Sequence, residues 1–339
     1  MKNFFLMLGA CILLASCSTG DAMNGASSTT GVTGGSTQAL VFLNCKAVSE
    51  DEVEFTFSGP VTVKSLSFEP VLSIAMIENG STVKVKLEKS LSLGMLYTAD
   101  LVAEDGKKNT INALVPFRAR NSRMPKLLIN EFRTEYSNSN GRYRAEFVEF
   151  KTLTAGNLGA MRVFMAGGSQ NPTVYEFVPI EVKEGEYITL HFRKGEAACI
   201  DELTDDLAES GGTDSSPTGR ELWIPGTVKR INQTGYIYIL DQDDDVLGGV
   251  MFSEKPDAWW GKSYLAEAAE FLHEKGAWSS PEGNICAPRD AIQTTGTTAT
   301  RTLNRDETVE NTNTAAEWYV TVTSGLSPGK KNNEARYVP

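Results

Sequence analysis

The stretch that decides the fold is LLINEFRTEYSNSNGRYRAEFVEF, residues 127–150. Two apolar runs, LLINEF and AEFVEF, enclose a polar loop, which predicts two paired strands. The runs carry Glu131, Glu146 and Glu149, so they could form an acid/base site or the polar rims of the strands. Side chains alternate along a strand, so Glu146 and Glu149 point to opposite faces and Glu131 can meet one of them across the sheet. This geometry favours the strand rims and places the start of a domain here.

The same strand pattern continues to about Asn333. GNLGAMRVFMAGG, TVYEFVPIEVKEGEYITLHF and GYIYILDQDDDVLGGVMF are apolar runs separated by Gly-rich turns. SYLAEAAEFLHEKGAW is the one helical pattern, because its apolar side chains recur every three or four residues. These apolar positions are Leu265, Ala268, Ala269 and Leu272. Gly276 can end the helix.

A second run of short strands occupies residues 39–120. EVEFTF and TVKVKLE alternate between apolar and polar residues, and Asn79-Gly80 is typical of a hairpin turn. Strands at this spacing favour a β-sandwich. The order TFSGPV, then NGSTVKVKLEKSLSLGMLYTADL, then EDGKKN resembles the bacterial Ig-like domains of secreted proteins.

Residues 126–333 resemble the bacterial lamin-tail domain. The resemblance rests on Ile129-Asn130-Glu131, on the acidic-aromatic strand end at 146–150, and on the Thr-Arg-Thr-Leu-x-Arg run at 300–305. It also rests on the Ser-Pro-Gly-x-x-Asn close at 327–332. The resemblance implies an Ig-like β-sandwich with binding or scaffolding duties and no established catalytic residues. Insertions near 195–223 and 255–291, the second with the helix, lengthen the domain. We therefore expect an all-β chain of two Ig-like β-sandwich domains.

The N-terminus, MKNFFLMLGACILLASCSTG, has one lysine, an apolar run and then LASC. This is the pattern of a secretory signal peptide, and LASC resembles a lipobox. The resemblance implies cleavage after residue 16 and diacylation of Cys17; ordinary signal cleavage nearby is the alternative. Residues 17–38 are rich in Gly, Ser and Thr, which predicts a flexible tether between the lipid anchor and the first domain.

Composition excludes several classes of function. The 339 residues hold 32 Lys and Arg against 43 Asp and Glu, a net charge of -11, which repels a phosphate backbone and argues against nucleic-acid binding. Only two histidines are present, which leaves little for His-based catalysis or metal binding. No catalytic or cofactor motif is recognisable, so we expect neither an enzyme nor a bound cofactor.

Three further residue groups are candidate sites. Trp259, Trp260 and Trp278 flank the predicted helix, where they either pack it down or form an aromatic platform for a glycan or protein. Asp241, Asp243 and Asp245 alternate as in a calcium loop, but Val246 stands where such a loop needs Gly, which favours a solvated hairpin tip. Cys199 and Cys286 either form a disulfide or remain buried thiols.

These observations lead to two functional hypotheses. The first is a non-catalytic, membrane-anchored lipoprotein of the bacterial envelope, at the outer membrane or cell surface, that binds a protein or glycan or acts as a scaffold. The second is a hydrolase, or an accessory subunit of one, with its site in the insertions. Neither hypothesis identifies the partner.

Overall fold

A computed structural model describes residues 39–166 and 171–339, together with the backbone of residues 27–31. The predicted signal peptide, Cys17 and most of the predicted tether lie outside the described residues. Among those described, no helix is long and apolar enough to cross a membrane. The chain divides into two compact units, with the division between Phe117 and Arg118 and with residues 90–95 assigned to the second unit.

The first unit is a seven-stranded antiparallel sheet. Its strands are β1 (Ser27–Gly31), β2 (Phe42–Ala47), β3 (Glu52–Glu69), β4 (Ile74–Glu78), β5 (Gly80–Leu87), β6 (Leu96–Asp105) and β7 (Thr110–Arg118). The long strand β3 pairs with β2 and β5 over its first half and with β6 over its second half. Alternate residues of β5, β6 and β7 are buried, as the apolar alternation in the sequence predicts.

Part of the predicted tether is ordered. β1 lies within residues 17–38 and pairs antiparallel with β7, from Ser27 opposite Leu114 to Gly31 opposite Thr110. A Gly/Ser/Thr-rich segment can do this because the ladder uses backbone groups and needs no particular side chain. Five residues of the predicted tether thus form a strand.

The second unit is a β-sandwich. Its strands are β8 (Leu127–Arg133), β9 (Ser137–Ser139), β10 (Arg142–Arg144), β11 (Phe147–Thr152), β12 (Gly156–Asn157), β13 (Arg162–Ala166), β14 (Thr173–Glu176), β15 (Glu181–Val182), β16 (Tyr187–His191), β17 (Arg220–Trp223), β18 (Gly235–Leu240), β19 (Val246–Ser253), β20 (Ile292–Gln293), β21 (Leu303–Arg305) and β22 (Trp318–Val320). One sheet has the order β17-β16-β11-β8-β21-β22 and the other β14-β13-β18-β19-β20. The predicted all-β sandwich fold is confirmed.

The core of the second unit lies between these two sheets. Val148 and Phe150 of β11 and Ile188 and Leu190 of β16 share it with Ile237, Ile239, Val250 and Phe252 of the facing sheet. Phe132 meets Phe252 across the sandwich, with 5.1 Å between ring centroids. The inward side chains therefore interdigitate as they do in other sandwiches.

The outer face of the five-stranded sheet is covered by the helix. α1 (Ser263–Glu274) buries Leu265, Ala268, Ala269 and Leu272, the four predicted positions. Leu272 packs against Gly249, where a Cβ would come within 2.8 Å of the leucine methyl group. Gly276 has φ +66° just beyond the helix, as a C-terminal glycine should. The helix is thus an integral layer of the unit.

Candidate functional site

Two glutamates of the opening stretch face each other inside the protein. Glu131 on β8 lies directly opposite Glu149 on β11, and both side chains are fully buried. The pairing then shifts so that Ile129 faces Phe150, which leaves Asn130 as the extra residue of a β-bulge. The Asn130 amide uses this position to donate to Glu149 Oε1 at 2.9 Å.

The C-terminal segment 327–332 seals this pair. Ser327 donates to Glu131 Oε2 through its backbone N–H at 3.1 Å and its hydroxyl at 2.8 Å. The Gly329 N–H donates to Glu149 Oε2 at 2.6 Å. The Asn332 amide donates to the backbone carbonyls of Asn130 and Arg305, at 3.0 and 2.8 Å. The Ser-Pro-Gly-x-x-Asn close is therefore the cover of the carboxylate pair.

Burial controls the ionisation of both carboxyls. Loss of solvent raises the pKa of Glu131, although hydrogen bonds from Thr302 and Ser327 oppose the shift. The pKa of Glu149 is raised well above its usual value, first by burial and then by the negative charge of Glu131. Two facing buried carboxylates cannot both ionise cheaply, so the pair retains a proton at pH values where an exposed glutamate has lost it.

A second buried acid lies further along the same sheet. Glu221 accepts from the Ser216 N–H at 2.8 Å, and its other oxygen lies 2.5 Å from His191 Nε2. Burial raises the pKa of Glu221 to about 8 and lowers that of His191 to about 3. The His191 ring also stacks on Trp223 with 3.6 Å between centroids. The pair is therefore held neutral, with one proton between carboxyl and imidazole.

These carboxyls are enclosed by protein groups in the structure. The side chains of Glu131, Glu149, Glu221 and His191 all have 0% exposure. General acid/base catalysis needs the group within hydrogen-bond reach of the reacting atom. The groups within hydrogen-bond reach of Glu131 and Glu149 are protein groups, chiefly those of the C-terminal segment.

The accessible site is a groove beside the start of α1, which we call the Trp259 groove. It encloses about 730 Å³, within the range of roughly 300–1,000 Å³ typical of small-molecule sites. Trp259 is 84% exposed. Trp260 is half-buried and donates its indole N–H to the Cys286 carbonyl at 2.8 Å. Tyr264 and Leu265 also line the groove.

The three candidate tryptophans therefore differ in their exposure to solvent. Trp278 is only 2% exposed and belongs to the core of the second unit. Its assignment to a partner-binding platform is wrong, because it packs the segment after α1 against the sandwich. Trp259 and Trp260 do share one surface, and Trp259 alone projects from it.

The aspartates of the β18–β19 hairpin form a turn, as the solvated-tip interpretation predicts. Asp241 accepts from the N–H groups of Asp243 and Asp245, at 2.8 and 2.9 Å. The Asp243 carboxylate accepts bidentate hydrogen bonds from the Arg120 guanidinium, at 2.7 and 3.1 Å. In the described part of the chain, no group of three or more His, Cys, Asp or Glu side chains could hold a metal ion. The calcium candidate is therefore wrong.

The candidate disulfide is not formed. Cys199 packs with Tyr143, Ala145 and Trp223, whereas Cys286 belongs to the main core, and both thiols are buried and free. Burial raises the pKa of Cys286 to about 12 and also raises that of Cys199. Both residues behave as small hydrophobic side chains, the alternative left open by the sequence.

We expect Cys45, Cys199 and Cys286 to resist iodoacetamide in the folded protein at mildly alkaline pH. Burial blocks access and disfavours the reactive thiolate. All three should be alkylated once urea unfolds the chain, as measured by peptide mass spectrometry. A Cys199–Cys286 cross-linked peptide from the unreduced protein would contradict this expectation.

The fold and the two sites define an all-β sandwich protein with a sealed carboxylate cluster and an open aromatic groove. The chain belongs to the TP_1001_2nd family, whose model, described as a protein second domain, matches residues 125–320. An uncharacterized protein of Treponema pallidum (strain Nichols) is 27% identical over 190 residues, which are 52% of this chain and 46% of that protein. The chain thus spans less than half of that relative's length.

A solved structure also aligns with the chain. It is the crystal structure of a DUF4876 family protein from Bacteroides thetaiotaomicron, with 12% identity and a TM-score of 0.32. The alignment covers 80% of this chain and 92% of the other.

The sequence contained one signal for the buried cluster that the strand-rim interpretation did not use. Glu131 and Glu149 each stand inside a largely apolar run, unlike Glu52 and Glu54, which alternate with buried residues along β3 and remain partly exposed. A charge embedded in a buried strand needs a partner. That partner is supplied by Ser327 and Gly329, nearly 200 residues away from Glu131, so spacing along the chain could not reveal it.

Proposed function

We propose that this protein is a non-catalytic lipoprotein of the bacterial envelope, anchored through Cys17, that binds a partner in the Trp259 groove. The single observation that carries the proposal is the 84% exposure of the Trp259 indole at a groove of about 730 Å³. Leaving so large an apolar side chain in water is unfavourable, and exposed aromatic side chains often anchor partners. The lipobox-like LASC supports the anchor, and the resemblance to lamin-tail domains supports a binding or scaffolding role.

The sealed state of the carboxylates supports a non-catalytic role. Glu131, Glu149 and Glu221 have the raised pKa values that acid/base catalysts often show. Glu131 and Glu149 lie under the C-terminal segment, Glu221 lies within the 195–223 insertion, and none of the three lines the Trp259 groove. A hydrolase built on these residues would need that cover to open.

The proposal is tested by Trp259→Ala on an array of glycans and host proteins. We expect the wild-type chain to bind specific spots and the variant to lose about 10-fold or more in affinity. Leu203→Ala is the matched control, since Leu203 is 53% exposed in the other insertion and does not line the groove. Both variants should unfold within about 0.5 kcal/mol of wild type, because both side chains are largely exposed. Equal binding by Trp259→Ala and wild type would refute the proposal.

A further inference from the structure

We infer that the Trp259 groove binds a neutral oligosaccharide, an inference that rests on the proposed function and names its ligand class. Three properties of the groove lining support this ligand class: an aromatic apolar surface, unpaired amides and balanced charges. All of these belong to the second unit.

The apolar surface of the groove is mainly aromatic. Trp259 projects into solvent, and Trp260 and Tyr264 lie half-buried beside it. The aliphatic lining is limited to Leu265 and Pro288, both buried. A protein partner would favour a broad apolar centre. A sugar ring instead presents a small apolar C–H face, which an indole can cover while the hydroxyls point outward.

The groove also supplies hydrogen-bonding groups that the fold leaves unused. The side-chain amides of Asn232 and Gln233 are half-buried and bond to no other described residue. Each amide carries one acceptor and two donor hydrogens. That combination suits hydroxyl groups, which both donate and accept, and a half-buried amide gains most from a partner of this kind.

The charges of the lining cancel. The lining contains three lysines and three acidic residues: Lys229, Lys255, Lys262, Glu135, Glu254 and Asp257. Within the described residues, none of these six side chains forms an ion pair. The chain as a whole carries a net charge of -11, so a neutral lining is a local property. An anionic ligand would meet three carboxylates and a cationic one three lysines, whereas an uncharged ligand meets neither penalty.

The test is titration of the full chain with cellohexaose, chitohexaose and maltohexaose, and with hexagalacturonate as the anionic comparison. Calorimetry gives the affinity, and tryptophan emission reports the groove directly, because Trp259 is the most exposed of the five tryptophans. We expect at least one neutral sugar to bind saturably with a blue shift in emission. Affinity should change less than about twofold between low and high salt, because no net charge is screened.

Variants separate the inference from the function on which it rests. Trp259→Ala should weaken the sugar about 10-fold or more, Trp259→Phe should keep most of the affinity through its ring face, and Leu203→Ala should bind as wild type. If no neutral sugar binds, or only hexagalacturonate binds with strong salt dependence, the inference is overturned. Array binding to protein spots that is lost in Trp259→Ala would leave the proposed function standing. Array binding that is unchanged in Trp259→Ala would refute both the oligosaccharide inference and the proposed function.

Discussion

Gly329→Ala is expected to lower the free energy of unfolding of the second unit by about 2–5 kcal/mol. Gly329 has φ +75°, where an alanine costs about 1–2 kcal/mol. Its Cβ would lie 2.4 Å from Ser216 Oγ and 2.8 Å from the Gly219 nitrogen, so the C-terminal segment must move. That movement breaks the Gly329 N–H bond to Glu149, and a buried acceptor left unpaired costs about 1–3 kcal/mol more.

Gly141→Ala is the matched control for this substitution. Gly141 has φ +70°, and no atom lies within 4 Å of the Cβ that alanine would add. It therefore isolates the backbone cost, about 1–2 kcal/mol. Urea unfolding followed by tryptophan fluorescence reports the second unit, since all five tryptophans lie in it. Similar losses in the two variants would show that the C-terminal segment does not latch onto the carboxylates.

The second large effect is a loss of stability with rising pH. Glu131 and Glu149 have pKa values raised above the ordinary 4.5 in the folded protein. As pH rises above 4.5, the unfolded chain therefore releases these protons before the folded chain does. The folded state then binds more protons, so stability falls as pH rises until the folded pKa is passed. Each such group contributes a slope on the order of 1 kcal/mol per pH unit.

Between pH 4.5 and 6.5, the buried Glu221–His191 pair does not add to this slope. Glu221 and His191 shift in opposite directions, to about 8 and about 3. In that window the folded pair holds one proton on Glu221 and the unfolded pair holds one on His191. Their net contribution to the slope is therefore zero, and it turns negative only above pH 6.5.

Glu149→Gln tests the assignment. Glutamine keeps the size of the side chain but never needs to take up a proton. The fall in unfolding free energy across the window should become shallower by about one proton's slope, on the order of 1 kcal/mol per pH unit. The variant should lose stability relative to wild type at the acid end, where one hydrogen bond is mismatched, and recover toward neutral pH. Glu184→Gln, at an exposed position, should leave the slope unchanged. Parallel curves for Glu149→Gln and wild type would contradict the raised pKa.

Several features of the fold were predictable from sequence because they depend on local periodicity. The alternation in β5, β6 and β7 has period two and buries the expected side chains. The helix buries its four predicted positions because their 3–4-residue spacing places them on one face. The opposition of Glu131 and Glu149 was also foreseeable, since strand alternation put both where they could meet.

The candidate sites depended on distances that no periodicity encodes. Cys199 and Cys286 share the second unit but pack in different clusters. Trp259 and Trp278 have the same side chain and flank the same helix. One is solvated and the other buried, because the segment after α1 packs Trp278 into the core of the second unit. Whether such a side chain is buried depends on which distant segments of the chain pack over it.

The sequence by itself determined an all-β chain, the two apolar runs that open the second unit, and the helix that covers one of its sheets. Each follows from the spacing of apolar residues along a short segment. Only the tertiary structure decided that Glu131 and Glu149 lie under the C-terminal segment rather than in solvent. The reason is physical. Strand alternation determines which face of the sheet a glutamate points to. The charge state and the partners of that glutamate depend on the segment that excludes water from the face.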